Sequence, residues 1–233
     1  MKIFYQTFVL AVGIGSFGLN GWAAVLPEGA KAFNGEKLKY SIKKHGMKVG
    51  EATLVFNASD KLNGRDVYSI AFTSTSFNFL DEEMIYMDPA TFLPLVVKRN
   101  LNIWGKKERI NEEYLTQEGK VRITKWAGGK SSGQTIEKQG QLDNLYCFIY
   151  RFRLAGDVKP GSSLVLNLPT KDFKINVLKK TSLKIGDKAF DSYYLQSDSK
   201  EYKIWLEANE KKVPLRIDGA LGIGSVSLII ADR

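Results

Sequence analysis

The chain has 233 residues, of which 44% are hydrophobic, 12% aromatic and 25% charged, and its 34 lysines and arginines against 25 carboxylates give a net charge of +9. That balance is globular and excludes a disordered chain. One cysteine (Cys147) excludes an internal disulfide, and with one histidine (His45) the usual His/Cys zinc sites are excluded as well.

Residues 1–23 read as a secretory signal peptide. Lys2 is the only charged side chain before Glu28, an apolar-rich run extends from Ile3 to Leu19, and Gly21, Ala23 and Ala24 bracket Trp22. Cleavage after Ala23 would leave residues 24–233 as a single β-rich domain in the periplasm. Gln6, Thr7, Ser16, Asn20 and the glycines at 13, 15, 18 and 21 make the segment a poor spanning helix. No second run of about 18 apolar residues follows, so no transmembrane helix is expected in the mature chain. For an exported chain the positive charge points to headgroups, lipopolysaccharide or acidic glycans, not to nucleic acid. Lys37, Lys39, Lys43 and Lys44 alternate with apolar residues, as on a solvated sheet face.

Along the mature chain the dominant period is two. Leu38, Tyr40 and Ile42 alternate with lysines, His45-Gly46-Met47-Lys48 turns, and Ala52, Leu54 and Phe56 continue a hairpin. Asn63-Gly64 is a second hairpin turn, leading into Tyr68, Ile70 and Phe72. A short helical turn is expected near Phe77–Glu83. Further strands are expected at about 84–88, 94–104, 107–116, 120–126, 133–138, 163–168, 172–180, 187–197, 201–207, 212–218 and 223–230. One helix interrupts them, from Asp143 to Ala155, with Asp143 as N-cap, Leu145, Tyr146, Ile149 and Phe152 on one face, and Gly156 as its stop. So many antiparallel strands must curl to manage their edges. The expected fold is mostly β: a curved antiparallel sheet, barrel or half-barrel like, with one principal α-helix lining or plugging its mouth. Cys147, in the apolar run Leu145–Ile149, is expected to be buried.

Little in the sequence suggests catalysis. No strand-to-helix Gly-x-Ser-x-Gly elbow, Gly-x-x-x-x-Gly-Lys loop or Gly-x-Gly-x-x-Gly fingerprint is present in residues 24–233, and His45 sits in a turn. The acidic runs Asp81-Glu82-Glu83 and Glu112-Glu113 are read as solvated, because adjacent residues on a strand face opposite sides. No cofactor or metal is implied. Trp126 and Trp205, taken as inward-facing, and the helical Tyr146, Arg151 and Arg153 are the candidate ligand-binding residues. An arginine fork beside an apolar pocket suits an anionic headgroup on an acyl tail. Arg151 is placed beyond reach of Asp143.

Three blocks carry a family resemblance. They are Phe33–Ser41 with Val49-Gly50-Glu51-Ala52; Asp143, Leu145, Tyr146, Tyr150-Arg151 and Gly161; and Ile204-Trp205-Leu206, Lys212–Arg216 and Gly222–Val226. In this order they resemble a bacterial exported family catalogued as domain of unknown function 3108. The resemblance implies a β-rich envelope protein without assigned activity or catalytic residues. The glycines of Gly35-Glu36 and Gly50-Glu51 are read as strand-end geometry, not as a site. The expected function is non-enzymatic binding of an amphiphilic or anionic envelope component, with peripheral membrane contact. The alternatives are an adaptor in envelope or polysaccharide assembly, and a glycan-active hydrolase.

Overall fold

A computed structural model describes residues 30–156, 158–219 and 226–231; the expected signal segment and its junction lie outside them. Strands β1 (Lys37–Lys44), β2 (Met47–Leu62), β3 (Arg65–Ser76), β4 (Phe79–Met87), β5 (Pro94–Ile103), β6 (Lys106–Leu115), β7 (Lys120–Ala127) and β8 (Lys130–Glu137) precede helix α1 (Leu145–Leu154). Strands β9 (Ser163–Asn167), β10 (Asp172–Ile185), β11 (Lys188–Ser197), β12 (Lys203–Glu207), β13 (Pro214–Asp218) and β14 (Ser227–Ile230) follow it. All belong to one antiparallel sheet in the order 8-7-6-5-4-3-2-1-14-13-12-11-10-9. Each strand pairs with its sequence neighbours, except that β8 and β9 do not pair and β1 meets β14, Tyr40 opposite Ile230. The two outermost strands, β8 and β9, are the ones α1 connects. The expectation of a curved, mostly β fold with one helix therefore holds, with a sheet that is not closed.

Alternation on each strand makes the core. Leu38, Tyr40 and Ile42 on β1, Ala52, Leu54 and Phe56 on β2, and Ile204 and Leu206 on β12 are all buried. Register shifts at Ile42/Lys43, Asn57/Asp60, Tyr86/Met87, Val177/Lys179 and Trp205/Leu206 mark bulges, which bend and twist a sheet. Gly50 permits a close approach of β2 to β3: a Cβ there would lie 2.2 Å from the Thr75 carbonyl oxygen.

Helix α1 lies inside the curl. A helix apolar all round is a buried one, and Leu145, Tyr146, Cys147, Phe148, Ile149, Tyr150, Phe152 and Arg153 are buried. The Tyr146 ring stacks on Phe72 at 4.7 Å, and Tyr150 meets Phe56 at 4.7 Å and Phe33 at 5.3 Å. Among the described residues no helix is long and apolar enough to cross a membrane.

Two local expectations are corrected. The helical turn near Phe77–Glu83 is a two-residue hairpin, Phe77-Asn78 with Asn78 at φ 54°, followed at once by β4. Asp81, Glu83, Ile85 and Met87 alternate in phase there, so sheet pairing overrides the local hint. The N-cap of α1 is Asn144, not Asp143: the Asn144 side chain accepts the Tyr146 N–H at 2.8 Å.

Candidate functional site

The inner face changes character across β3 to β7. Strand register places Ser74 opposite Asp81, then Leu101 and Glu108 in the same row. The next row reads Phe72, Glu83, Arg99, Ile110 and Lys125, and the next Ile70, Ile85, Val97, Glu112 and Ile123. Uncharged on β3, these rows carry charged residues on β4 to β6, just where the start of α1 meets the sheet.

Arg99 and Asp81 form a two-armed pair. The Arg99 Nε and Nη2 atoms donate to the Asp81 oxygens at 2.7 and 2.6 Å, and the Asp81 side chain is 1% exposed. That hydrogen bonding holds Arg99 firmly protonated. Asn144 donates from Nδ2 to Glu83 Oε1 at 3.1 Å, so the capping residue of α1 also touches the cluster. Burial pushes the Glu83 carboxyl up to about 7; Arg99 pulls the other way, while Asp81 and Glu112 add repulsion. Glu112 accepts the Tyr114 hydroxyl at 2.7 Å and is likewise raised by burial. Two buried hydroxyls, Ser74 Oγ and Tyr146 Oη, have no hydrogen-bond partner among the described residues. Ser74 lies opposite Asp81, and Tyr146 lies close enough to Glu83, Asp81 and Arg99 for their charges to act on its hydroxyl. A buried hydroxyl left without a partner costs about 1–3 kcal/mol.

Beyond the cluster, Phe79, Leu101, Ile103 and Ile110 on the same inner face are only half-buried. Strand β8 is exposed on both faces over most of its length. The concave face of β4 to β8 thus extends past α1 as an open, partly apolar surface with a desolvated charged patch at its base. Among the described residues no group of His, Cys, Asp and Glu side chains is arranged to hold a metal ion.

The five sequence-derived candidates do not converge. Tyr146 reaches the cluster. Arg151 pairs with Asp143, bonding both carboxylate oxygens. The separation expected between them fails because Asp143 precedes the helix and an arginine side chain points back toward the helix N-terminus. Arg153 is fully buried: it grips both Glu36 oxygens at 2.6 and 2.7 Å, donates to the Lys211 carbonyl, and lies over Phe33 and Tyr150. Its expected carboxylate partner is therefore Glu36. Trp126 and Trp205 face outward, not inward, because they are out of phase with the buried Val121 and with Ile204 and Leu206. Trp126 stacks under Arg109 at 4.4 Å and lines an open outer depression of about 480 Å³. Trp205 stacks on Tyr194 at 4.7 Å and under Arg216.

Sequence reasoning misses Asp81, Glu83, Arg99 and Glu112 as site residues, and the expectation that both acidic runs are solvated is corrected. Alternation exposes Glu82 and turns Glu113 outward, and it also turns Asp81, Glu83 and Glu112 inward. The signal that could have found them is phase: Asp81 and Glu83 share the parity of Ile85 and Met87.

A protein family described as "Protein of unknown function (DUF3108)" matches residues 38–230. No curated protein matches. Among solved structures, a beta-barrel-like protein of domain of unknown function DUF1849 from Brucella abortus superposes with a TM-score of 0.51 at 10% identity, covering 84% of this chain and 95% of that one. At that identity the likeness is one of fold.

Proposed function

Since the chain belongs to the DUF3108 family, whose description assigns no activity, we propose a function from its geometry: non-enzymatic binding of an amphiphilic envelope component on the concave face. The supporting observation is the half-buried inner strip Phe79, Leu101, Ile103 and Ile110, which leads to the Asp81–Arg99–Glu83–Glu112 cluster. An apolar surface with a few convergent polar groups is the usual make-up of a ligand site. The acyl portion lies along the strip. The headgroup meets two carboxyls with raised pKa values and two hydroxyls without partners, a set suited to a headgroup that donates hydrogen bonds, such as an amine or a polyol. An anionic headgroup at Arg151 or Arg153 fits less well, since Asp143 and Glu36 already engage both guanidinium groups. The periplasm is the compartment in which such a ligand is met, in keeping with the signal-like segment.

The test uses delipidated protein with fluorescent long-chain amine and fatty-acid probes. Ile110→Asp and Leu101→Asp are expected to weaken binding of the amine probe at least tenfold with the fold retained, and Glu83→Gln to narrow the preference for amine over acid. Failure of every probe to bind ends the proposal. Hydrolysis of a glycan that Glu83→Gln abolishes assigns the cluster to catalysis instead. A second reading rests on β8, an edge strand exposed on both faces whose free backbone groups suit pairing with a strand of a protein partner in envelope assembly.

A further inference from the structure

Consecutive hairpins of an antiparallel meander place alternate turns at the same end of the sheet. The turns at 45–46, 77–78, 104–105 and 128–129, which join β1 to β2, β3 to β4, β5 to β6 and β7 to β8, therefore lie side by side. The first three are tied together. Ser76 Oγ donates to the Val49 carbonyl, the Trp104 N–H donates to the Asn78 carbonyl at 2.8 Å, and the Phe77 and Trp104 rings meet edge-on at 6.0 Å.

This end carries four of the six large hydrophobic residues exposed among the described residues. Met47 is 69% exposed, Phe77 81% and Trp104 70%, with Val49 beside them. The turns at the opposite end of the same strands, 63–64, 88–93 and 116–119, present no large exposed hydrophobic residue. Trp104 also occupies the left-handed region at φ 53°, a position where turns prefer Asn or Gly. A tryptophan there carries both backbone strain and exposed apolar area, and strained conformations of this kind collect at functional positions. Around the apolar tips stand Lys43, Lys44, Lys106, Lys107 and Lys130, none in an ion pair among the described residues. Lys48 is paired with Glu51.

We infer that this end of the sheet docks onto an anionic lipid bilayer, Phe77, Trp104 and Met47 entering the headgroup region while the flanking lysines face lipid phosphates. Tryptophan with phenylalanine and methionine inside a lysine collar is the chemistry of an interfacial anchor. The exposed apolar side chains sit at separate hairpin tips inside a ring of lysines, which suits a fluid anionic surface better than a folded protein partner. Each lysine held near an anionic surface strengthens binding by about fivefold. The inference is independent of what the concave face binds.

The experiment is co-sedimentation of the purified full chain, as its host processes it, with phosphatidylcholine vesicles with and without phosphatidylglycerol. Binding is expected only with phosphatidylglycerol and is expected to weaken as salt shortens the Debye length. Phe77→Ser/Trp104→Ser is expected to reduce it at least tenfold, and Lys106→Glu/Lys107→Glu by about 25-fold or more, with thermal midpoints unchanged. Brominated lipid is expected to quench tryptophan fluorescence, and Trp104→Phe to remove that quenching while sedimentation persists. Equal sedimentation of parent and both double variants overturns the inference. So does self-association that Phe77→Ser/Trp104→Ser abolishes without vesicle binding, which would assign the edge to a second copy of the chain.

Discussion

Glu83 is expected to make the fold weaken as pH rises, and Glu83→Gln to remove that weakness. The free carboxyl titrates at 4.5 and the folded one at about 7, burial being the main cause. A group with its pKa raised by folding binds its proton more tightly in the folded state. Its contribution is therefore complete below pH 4.5 and is lost as the pH rises through 7. The interval of 2.5 units corresponds to about 3 kcal/mol of stability lost above the folded pKa. Glutamine keeps the acceptor that Asn144 Nδ2 uses at 3.1 Å and cannot ionise. Urea unfolding of the parent and Glu83→Gln at about pH 5 and about pH 8 separates the two states. The variant is expected to exceed the parent by less than about 1 kcal/mol at the lower pH. At the higher pH it is expected to exceed it by up to about 3 kcal/mol, a displacement of the midpoint by at least about 1 M at ordinary urea slopes. Glu112, raised in the same direction, contributes to both proteins and largely cancels in the difference. A gap between variant and parent that stays the same at both pH values refutes the burial of an ionisable Glu83 and, with it, the desolvated base of the concave face.

Glu36→Gln is expected to cost about 3–5 kcal/mol, because it leaves the Arg153 guanidinium charged with its side chain 0% exposed; adding Arg153→Met is expected to recover most of that loss in chemical unfolding. Trp205→Lys, by contrast, removes outer-face stacking on Tyr194 and Arg216 and is expected to cost about 1 kcal/mol; a loss of core size would contradict its outward orientation. N-terminal sequencing of the protein released by osmotic shock is expected to begin near Ala24, and a chain beginning at Met1 in the membrane fraction would refute export with cleavage.

Much of the sheet is legible in the order of the residues. Leu38, Tyr40 and Ile42, or Tyr68, Ile70 and Phe72, alternate so regularly that their inward direction follows, although Tyr68 is only partly buried. Asn63-Gly64 forms the expected left-handed hairpin turn, with φ 52° and 82°. The helix is legible from its continuous apolar run, and its burial on every side from the same run. The pairing of β1 with β14 is not legible, since no local pattern states which distant strand completes a sheet. At the site, chemical type and phase point in opposite directions, and phase wins. Aromatic character favours an inward Trp126 and Trp205, although Ile204 and Leu206 flank Trp205 at the buried positions. Acidic character likewise favours Asp81 and Glu83 in solvent, although Ile85 and Met87 continue their parity inward. A buried carboxylate needs a partner on another strand, here Arg99 eighteen residues away, and single-strand periodicity carries no information about that partner.

The same polar contacts explain how an open sheet can hold a fixed curvature. A closed barrel is held by pairing of its last strand with its first, and β8 and β9 lack that pairing. Their connection runs through α1 instead, and the ends of this connection are fastened. The Asp143 N–H donates to the Asn167 carbonyl on β9, and the Asp143 carboxylate takes Arg151. At the other end of α1, Arg153 takes Glu36 at the entry to β1, and Tyr150 donates to the same carboxylate at 3.0 Å. The helix is thereby held against both β9, at one edge, and β1, in the middle of the sheet. Lys138 adds a link from the end of β8, through Nζ to the Leu168 carbonyl at 2.8 Å and to Asp172 at 2.5 Å. Asp143, Tyr150, Arg151 and Glu36 all belong to the sequence blocks that carry the family resemblance, and in the fold their side chains fasten the helix. Because they hold the seam from inside, the concave face of β4 to β8 can stay uncovered without the sheet flattening. A receptive surface on a rigid scaffold requires that combination.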